Sequence, residues 1–483
     1  MSIVKYIPTE PPIIDVRNRE LSFILHLPFF ARLLSETVRN TANKFINIIY
    51  ISKIILKIIL FTKRKDDILK LRNFIPVLLC VVLLFVTIGF SSSKKEDEKQ
   101  VLSFEATNDT AQNNTSTNDS AKIEPKVLKS DEMRAVWVSY FELSMQNSSD
   151  KSEKAFTEKF SKIADNCIGV GFNTLIVQVR PFGDALYNSK YFPWSHVLTG
   201  TQGKNPGYDP LQIMCDICQK KGLKIHAWVN PYRIINSDSD IKLSDDNPYK
   251  KDSSMGLKTK SGIYYDPSNE NVIELIKNGI KEIVENYDID GIQFDDYFYP
   301  PDIGNADNIS YEKYKAKNGN QCMSLDNWRL ANVNMLVCKV YQTVHNTKDN
   351  VVFGISPQGN LENNEKIYAD IKSWCNCKGF VDYICPQIYF SPDNPSLGFE
   401  DCFNQWSNLT YDKSVKLYVG LAGYKAGTDD DDNTWKSSDN ILADEYNIVK
   451  NSKKAEGIML YSYNSIISEE SRKEIQNLKY ELY

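Results

Sequence analysis

Eight short apolar runs rich in β-branched and aromatic residues, separated by longer amphipathic stretches, predict an α/β chain whose strands pair in parallel as a (β/α)8 or TIM barrel. Several of the intervening stretches stop at or near Gly or Asn, as helices do. Strands joined through helices require right-handed crossovers, which excludes a simple meander. Eight units within about 350 residues fit a barrel enlarged by inserted loops; a doubly wound open sheet is the alternative.

In order, the runs are RAVWV from Arg134, TLIVQVR from Thr174, KIHAWVN from Lys224, GIQFDD from Gly291, VVFGIS from Val351, VDYICPQIY from Val381, KLYVGLA from Lys416 and GIMLYS from Gly457. Between them lie SEKAFTEKFSKIADNCIGVG, DPLQIMCDICQKKG, NENVIELIKNGIKEIVENY and DNILADEYNIVKNSKKAEG, each with one apolar face.

The barrel occupies residues 131–483 and is preceded by three segments of different composition. Residues 74–90, FIPVLLCVVLLFVTIGF, carry no charge and read as a transmembrane signal anchor. Lys63, Arg64, Lys65, Lys70 and Arg72 come just before it, which places residues 1–73 in the cytoplasm by the positive-inside rule and the barrel on the other side of the membrane. A cleaved signal peptide is an alternative, since GFSSS offers small residues, although no A-x-A pattern is present; another is that translation starts near Leu69, LKLRNFIPVLL is an ordinary signal sequence, and the upstream residues are not part of the chain. Residues 91–130 are rich in Ser, Thr, Asn, Asp, Lys and Glu and describe a disordered stalk.

Composition narrows the class further. With 42% hydrophobic residues the chain can bury a large core, and 57 Lys+Arg against 62 Asp+Glu, without a basic stripe in the body, argues against nucleic acid as a partner. Ten cysteines show no repeated zinc spacing; Cys215 and Cys218 form a CxxC within a helix, and a Cys375–Cys402 disulfide is an open alternative to buried thiols. The expectation is a mildly polar or neutral substrate, no metal and no cofactor, with the oligomeric state open.

Parallel barrels place their sites at the strand C-termini, and here those ends are polar and aromatic. Alternation along the fourth strand puts Gln293 and Asp295 on the inner face and Ile292 and Phe294 on the outer, with Asp296 at the rim. Adjacent carboxylates repel, which keeps one protonated near neutral pH, as a general acid requires. Asp295 and Asp296 are therefore the first catalytic candidates, with Asp184 after strand two and Glu142 after strand one as further carboxylates. Arg180, His226, Trp228, Asn230, Tyr232, Arg233, Tyr297, Gln387, Tyr389 and Tyr461 are candidate substrate-binding residues, and Tyr187, Tyr191, Trp194 and Tyr299 candidate stacking platforms. A satisfied core histidine at 226, ion pairs at the carboxylates and ordinary loop packing of the rings are the competing readings.

The segments MRAVWVSY, NTLIVQVRPFGDALYNSKYFPWS, GYDPLQIMCDICQKKGLKIHAWVNPYR, DGIQFDDYFYP and GIMLYSYNS resemble the bacterial glycosyl-hydrolase-like family 10, over Met133 to about Ser465. The resemblance implies a TIM barrel with glycosidase-like activity on a cell-envelope polysaccharide, some members of the family acting on peptidoglycan glycan strands. DGIQFDD is also similar to the DGxDxDxE signature of family 18 chitinases, but Gln293 and Tyr297 replace its second Asp and its Glu, against a substrate-assisted mechanism of that type.

Other barrel chemistries fit less well. Only four His occur, with His226 alone on a predicted strand, which disfavours a metallohydrolase. Lys224 and Lys416 sit at strand N-termini, the wrong ends for a Schiff base. Gly420, Gly423 and Gly427 after strand seven are conceivable phosphate contacts, yet strand eight lacks a matching loop. A non-catalytic glycan-binding or envelope-structural barrel stays in view because strand seven carries no carboxylate.

The predicted topology is testable by fusing alkaline phosphatase after Glu124: the fusion is expected to be active in intact cells, and a well-expressed but inactive fusion would contradict an extracytoplasmic barrel.

Overall fold

The computed structural model describes Val127 and residues 130–483, apart from Thr410. The predicted anchor at 74–90, the N-terminal segment before it and almost all of the predicted stalk lie outside these residues. Among the described residues no helix is long and apolar enough to cross a membrane.

Parallel strands form the centre. They are β1 (Met133–Val138), β2 (Thr174–Arg180), β3 (Lys224–Val229), β7 (Gly291–Phe294), β8 (Val352–Ile355), β9 (Tyr383–Ile384), β10 (Lys416–Leu417), β11 (Val419–Leu421) and β12 (Gly457–Tyr461). A small antiparallel sheet of β4 (Arg233–Asn236), β5 (Gly256–Lys258) and β6 (Gly262–Tyr265) is inserted after β3. The parallel sheet runs β10-β9-β8-β7-β3-β2-β1-β12-β11. Its two edges, β10 and β11, are separated in the chain by Tyr418 alone, so the run from Lys416 to Leu421 pairs with β9 through its start and with β12 through its end. The sheet thus nearly closes on itself, as in a TIM barrel. Gly420 N donating to Pro386 O at 2.9 Å and Ile388 N donating to Gly420 O at 3.1 Å carry the pairing across the seam.

Helices lie on the outside. After the one-turn α1 (Tyr140–Leu143) come α2 (Glu153–Val170), α3 (Pro210–Lys221), α4 (Glu270–Asn286), α5 (Leu325–Thr347), α6 (Phe399–Ser407), α7 (Ile441–Ser452), α8 (Tyr463–Ile467) and α9 (Arg472–Leu482). The four predicted amphipathic stretches become α2, α3, α4 and α7. The Asp209 carboxylate caps α3 by accepting from Leu211 N and Gln212 N, Pro210 takes the first turn where no N–H is needed, and Gly222 ends the helix in the left-handed region. The nine described cysteines are free; Cys375 and Cys402 are both buried thiols, so the alternative of a disulfide between them does not hold.

Two apolar layers result. Outward residues such as Val136, Val177, Ala227, Ile292, Phe353 and Leu460 join the helices in one large core. Inward residues Ala135, Trp137, Ile176, Trp228, Tyr383, Cys385, Tyr418 and Met459 fill the lumen. Polar groups cross that plug and satisfy one another: Trp137 Nε1 donates to Gln293 Oε1 at 2.5 Å, Gln293 Nε2 donates to Tyr383 Oη at 3.2 Å, and Tyr383 Oη lies 3.0 Å from His226 Nδ1. Burial lowers the His226 pKa to about 3, so the ring is neutral. Space for this layer comes from Gly354, where a Cβ would fall 2.1 Å from the Tyr383 ring.

Gly354→Ala is expected to overpack the lumen, cost about 1–3 kcal/mol and lower the melting temperature by several degrees in calorimetry; an unchanged melting point would mean that the Tyr383 ring is not held where the hydrogen bonds put it.

Candidate active site

Asp295 follows the last residue of β7 and keeps the inward parity of Gly291 and Gln293. Its side chain is 4% exposed and ringed by donors. Trp228 Nε1 donates to Oδ2 at 3.0 Å, Asn230 Nδ2 donates to the same oxygen, and Tyr297 N donates to Oδ1 at 3.1 Å. Asn230 is itself fixed by Gln178 Nε2, which donates to its Oδ1 at 2.7 Å, while Gln178 Oε1 accepts from Tyr140 N at 3.0 Å. Four strand ends are thereby tied to one carboxylate. Asp296, one residue on, is half-buried and accepts from Gln387 Nε2 at 3.1 Å.

Burial first, and the Asp296 charge second, raise the Asp295 pKa to about 7, against the lowering effects of Arg233 and the Tyr297 and Trp228 hydrogen bonds. Burial raises Asp296 as well, with the Gln387 hydrogen bond opposing it. The two neighbouring carboxyl groups affect one another's ionisation and titrate as a pair.

Aromatic rings surround the pair. Tyr297, 46% exposed, lies over the Arg233 guanidinium at 4.8 Å, and Arg233 also covers Phe182 at 4.9 Å while its Nε donates to Pro181 O. On the other side Tyr389 stacks on Tyr461 with centroids 5.9 Å apart, and Tyr424, 46% exposed, meets both rings edge-on at 5.8 Å. Tyr140 packs edge-on against Phe182 at 5.2 Å. Flat apolar faces beside buried carboxylates suit a sugar ring, whose C–H face stacks while its hydroxyls seek hydrogen bonds.

The structure therefore brings Asp295, Asp296, Trp228, Asn230, Arg233, Tyr297, Gln387, Tyr389 and Tyr461 together. The remaining candidates are engaged by other partners or buried. Asp184 is fully buried, its Oδ2 bonded to His196 Nδ1 at 2.9 Å and to Gln202 Nε2 at 2.9 Å. Glu142 caps α1, taking donors from Ser139 N, Ser139 Oγ, Ser462 Oγ and Asn464 N. Arg180 is buried beneath the loops, over Phe192 at 4.5 Å, because the β2–β3 register shifts between Gln178 and Arg180 and breaks the alternation. His226 lies in the lumen plug below Trp228, and Tyr232 is buried. Of the stacking candidates, Tyr187 and Tyr299 are core rings at 0% and 1% exposure, Trp194 is partly buried and Tyr191 is 37% exposed. Sequence reasoning passed over Tyr140, Gln178 and Tyr424; the signal for Tyr424 was an aromatic residue directly after strand seven in GLAGYKAG. Among the described residues no group of three or more His, Cys, Asp or Glu side chains is placed to hold a metal ion.

A family model described as glycosyl hydrolase-like 10 matches residues 132–437. The chain belongs to that family. Its strand-four acids, Trp228 and Asn230 all fall within the matched span. Among curated relatives, glycosyl hydrolase YngK of Bacillus subtilis is 37% identical over 312 residues, covering 61% of each protein, so the chain spans about three-fifths of that relative's length. Glycosyl hydrolase DigH of Escherichia coli is 33% identical over 329 residues, 61% of this chain and 74% of that one. Among solved structures, the PgaB glycoside hydrolase domain of Bordetella bronchiseptica aligns with 72% of this chain and 98% of its own at 10% identity and a TM-score of 0.49.

Because the Asp296 charge contributes to the raised Asp295 pKa, Asp296→Asn is expected to bring Asp295 down from about 7. Infrared titration of the carboxyl band at neutral pH measures this; an unchanged protonated fraction would leave burial as the sole cause.

Proposed function

We propose that this family member is a glycoside hydrolase of the TIM-barrel type that cleaves a cell-envelope polysaccharide, with peptidoglycan glycan strands the first polymer to test. The observation that carries the reading is the Asp295–Asp296 pair at the end of the fourth parallel strand, both pKa values raised by burial, beside a cluster of tyrosines. The family and the names of its relatives support carbohydrate chemistry; the polymer, the extracytoplasmic location and the membrane anchor are extensions from the sequence.

In this mechanism Asp295 is the general acid. Trp228 and Asn230 pin Oδ2 and leave Oδ1, which holds only the Tyr297 N–H, as the oxygen able to carry the proton toward a glycosidic oxygen. In that division Asp296 is the partner carboxylate, acting on the sugar or on a water according to the separation of the two groups when substrate is bound. Arg233 lies close enough to lower both pKa values and so limits the repulsion. Tyr297, Tyr389, Tyr424 and Tyr461 supply stacking faces, and Gln387 orients Asp296. Asp184, bonded through Oδ2 to His196 and Gln202, and Glu142, engaged at both oxygens, hold loops. A second assignment has its own support: two side-chain donors on Oδ2 favour the anionic form of Asp295, which would make Asp296 the acid.

The test is release of reducing ends from peptidoglycan with and without stem peptides, from chitin and from other β-glucans. With Asp295 as acid, kcat/KM falls as pH rises through about 7, since only the protonated form donates. Asp295→Asn should lower kcat by about 10^2–10^4 with folding intact, leave binding largely unchanged and abolish the basic limb. Full activity in that variant would remove Asp295 from the chemistry, whereas a persisting limb in a weakened enzyme would transfer the acid role to Asp296. Binding to a polymer without any cleavage would favour the glycan-binding alternative.

A further inference from the structure

Beside the aromatic wall lies a cavity of about 710 Å3 that the proposed mechanism does not use. Glu142 of α1, Lys159 and Lys162 of α2, and Tyr461, Asn464 and Ile467 at the end of β12 and on α8 line it. Its size is that of an ordinary ligand site. Tyr461 is common to both spaces, stacking on Tyr389 at the mouth and bounding the cavity with its other side.

The lysines of this cavity make no direct ion pair with its one carboxylate, although the Glu142 charge acts on Lys159. Glu142 is engaged by four donors from Ser139, Ser462 and Asn464. Lys159 is half-buried and gives one N–H to Ser144 O at 2.5 Å, which leaves two donors. Burial pulls its pKa below the usual lysine value, with the Glu142 charge opposing that. Lys162, three residues on, shares the same helical face. Elsewhere on α2, Lys154 pairs with Glu158 at 3.8 Å, but neither Lys159 nor Lys162 has a carboxylate within 4.0 Å among the described residues. A half-buried ammonium lining a cavity, with donors beyond the one given to Ser144 O, can offer charge-assisted bonds to an anion there.

We infer that this cavity is a subsite for an anionic substituent of the glycan, a carboxylate or phosphate carried by a sugar unit next to the one cleaved and held by Lys159 and Lys162. The inference rests on the glycosidase reading and adds a preference for acidic over neutral chains. Glu142, closed off by its donors, adds selectivity by repelling an anion placed too deep.

The full chain is assayed on two matched pairs of polymers: a carboxylated amino-sugar glycan and its carboxyl-reduced form, and a phosphorylated glycan and its dephosphorylated form. Wild type is expected to favour one acidic member over its neutral twin by about 10-fold or more in kcat/KM, chiefly through KM, which also identifies the anion. In a Lys159→Gln, Lys162→Gln double variant that preference should fall to near unity. Equal kcat/KM for wild type on both members of both pairs overturns the subsite, as does a preference that survives loss of both lysines. If no polymer is cleaved, the glycosidase reading fails separately. The same ratio is then read from calorimetric binding of acidic and neutral oligosaccharides to both proteins, with the same two results overturning it.

Discussion

Polar groups on the inner face of a closed parallel sheet have only one another for partners, because the strands consume their own backbone groups in pairing and water reaches no deeper than the mouth. In this protein that constraint is met by one chain of contacts from Trp137 through Gln293 to Tyr383 and His226. Glycine at 354 makes the layer possible, since any side chain there would occupy the volume of the Tyr383 ring. The layer in turn is the floor on which Trp228, Asn230 and Asp295 stand, and it fixes how far Asp295 sits from bulk water. Desolvation is the largest influence on that carboxyl group. Burial above a plug of side chains two residues lower along the strands thus favours the protonated form of Asp295.

The same floor explains why the strand-four signature departs from that of the family 18 chitinases. Gln293 occupies a position where a carboxylate would have to accept from Trp137 and repel nothing; as an amide it both accepts from Trp137 and donates to Tyr383, which a carboxylate cannot do. Tyr297 is turned onto Arg233 instead of carrying an acid over the site. The acids are consequently concentrated at 295 and 296.

How much of this was legible from sequence depended on whether a residue sat on regular backbone. Alternation along β7 and β3 survives to the strand ends, so inward positions for Gln293, Asp295, Trp228 and Asn230 followed from counting by twos. Arg180 did not, because the register shift after Gln178 leaves no mark in the letters TLIVQVR. Asp184 lies in a loop, where no periodicity applies, and its partners His196 and Gln202 come 12 and 18 residues later. The sixth and seventh strands were predicted as long runs yet pair regularly over only a few residues, with Pro386, Gln387 and Gly420 meeting through isolated bridges at the seam. Tyr424 was hidden for a different reason: the glycines around it drew attention to backbone, whereas the ring was the functional signal.

Parallel strands have a second consequence. All of them start at one face of the barrel and end at the other, separated by roughly 20 Å for a six-residue strand. Met133 opens β1 at the starting face, where its N–H donates to Glu456 O and Arg134 reaches Leu482 O at the end of α9. Asp295 and Asp296 lie at the finishing face. Polypeptide upstream of Met133 therefore joins the body at the rim farthest from the carboxylates. The point where the chain enters β1 and the carboxylate pair thus stand at opposite ends of the same strands.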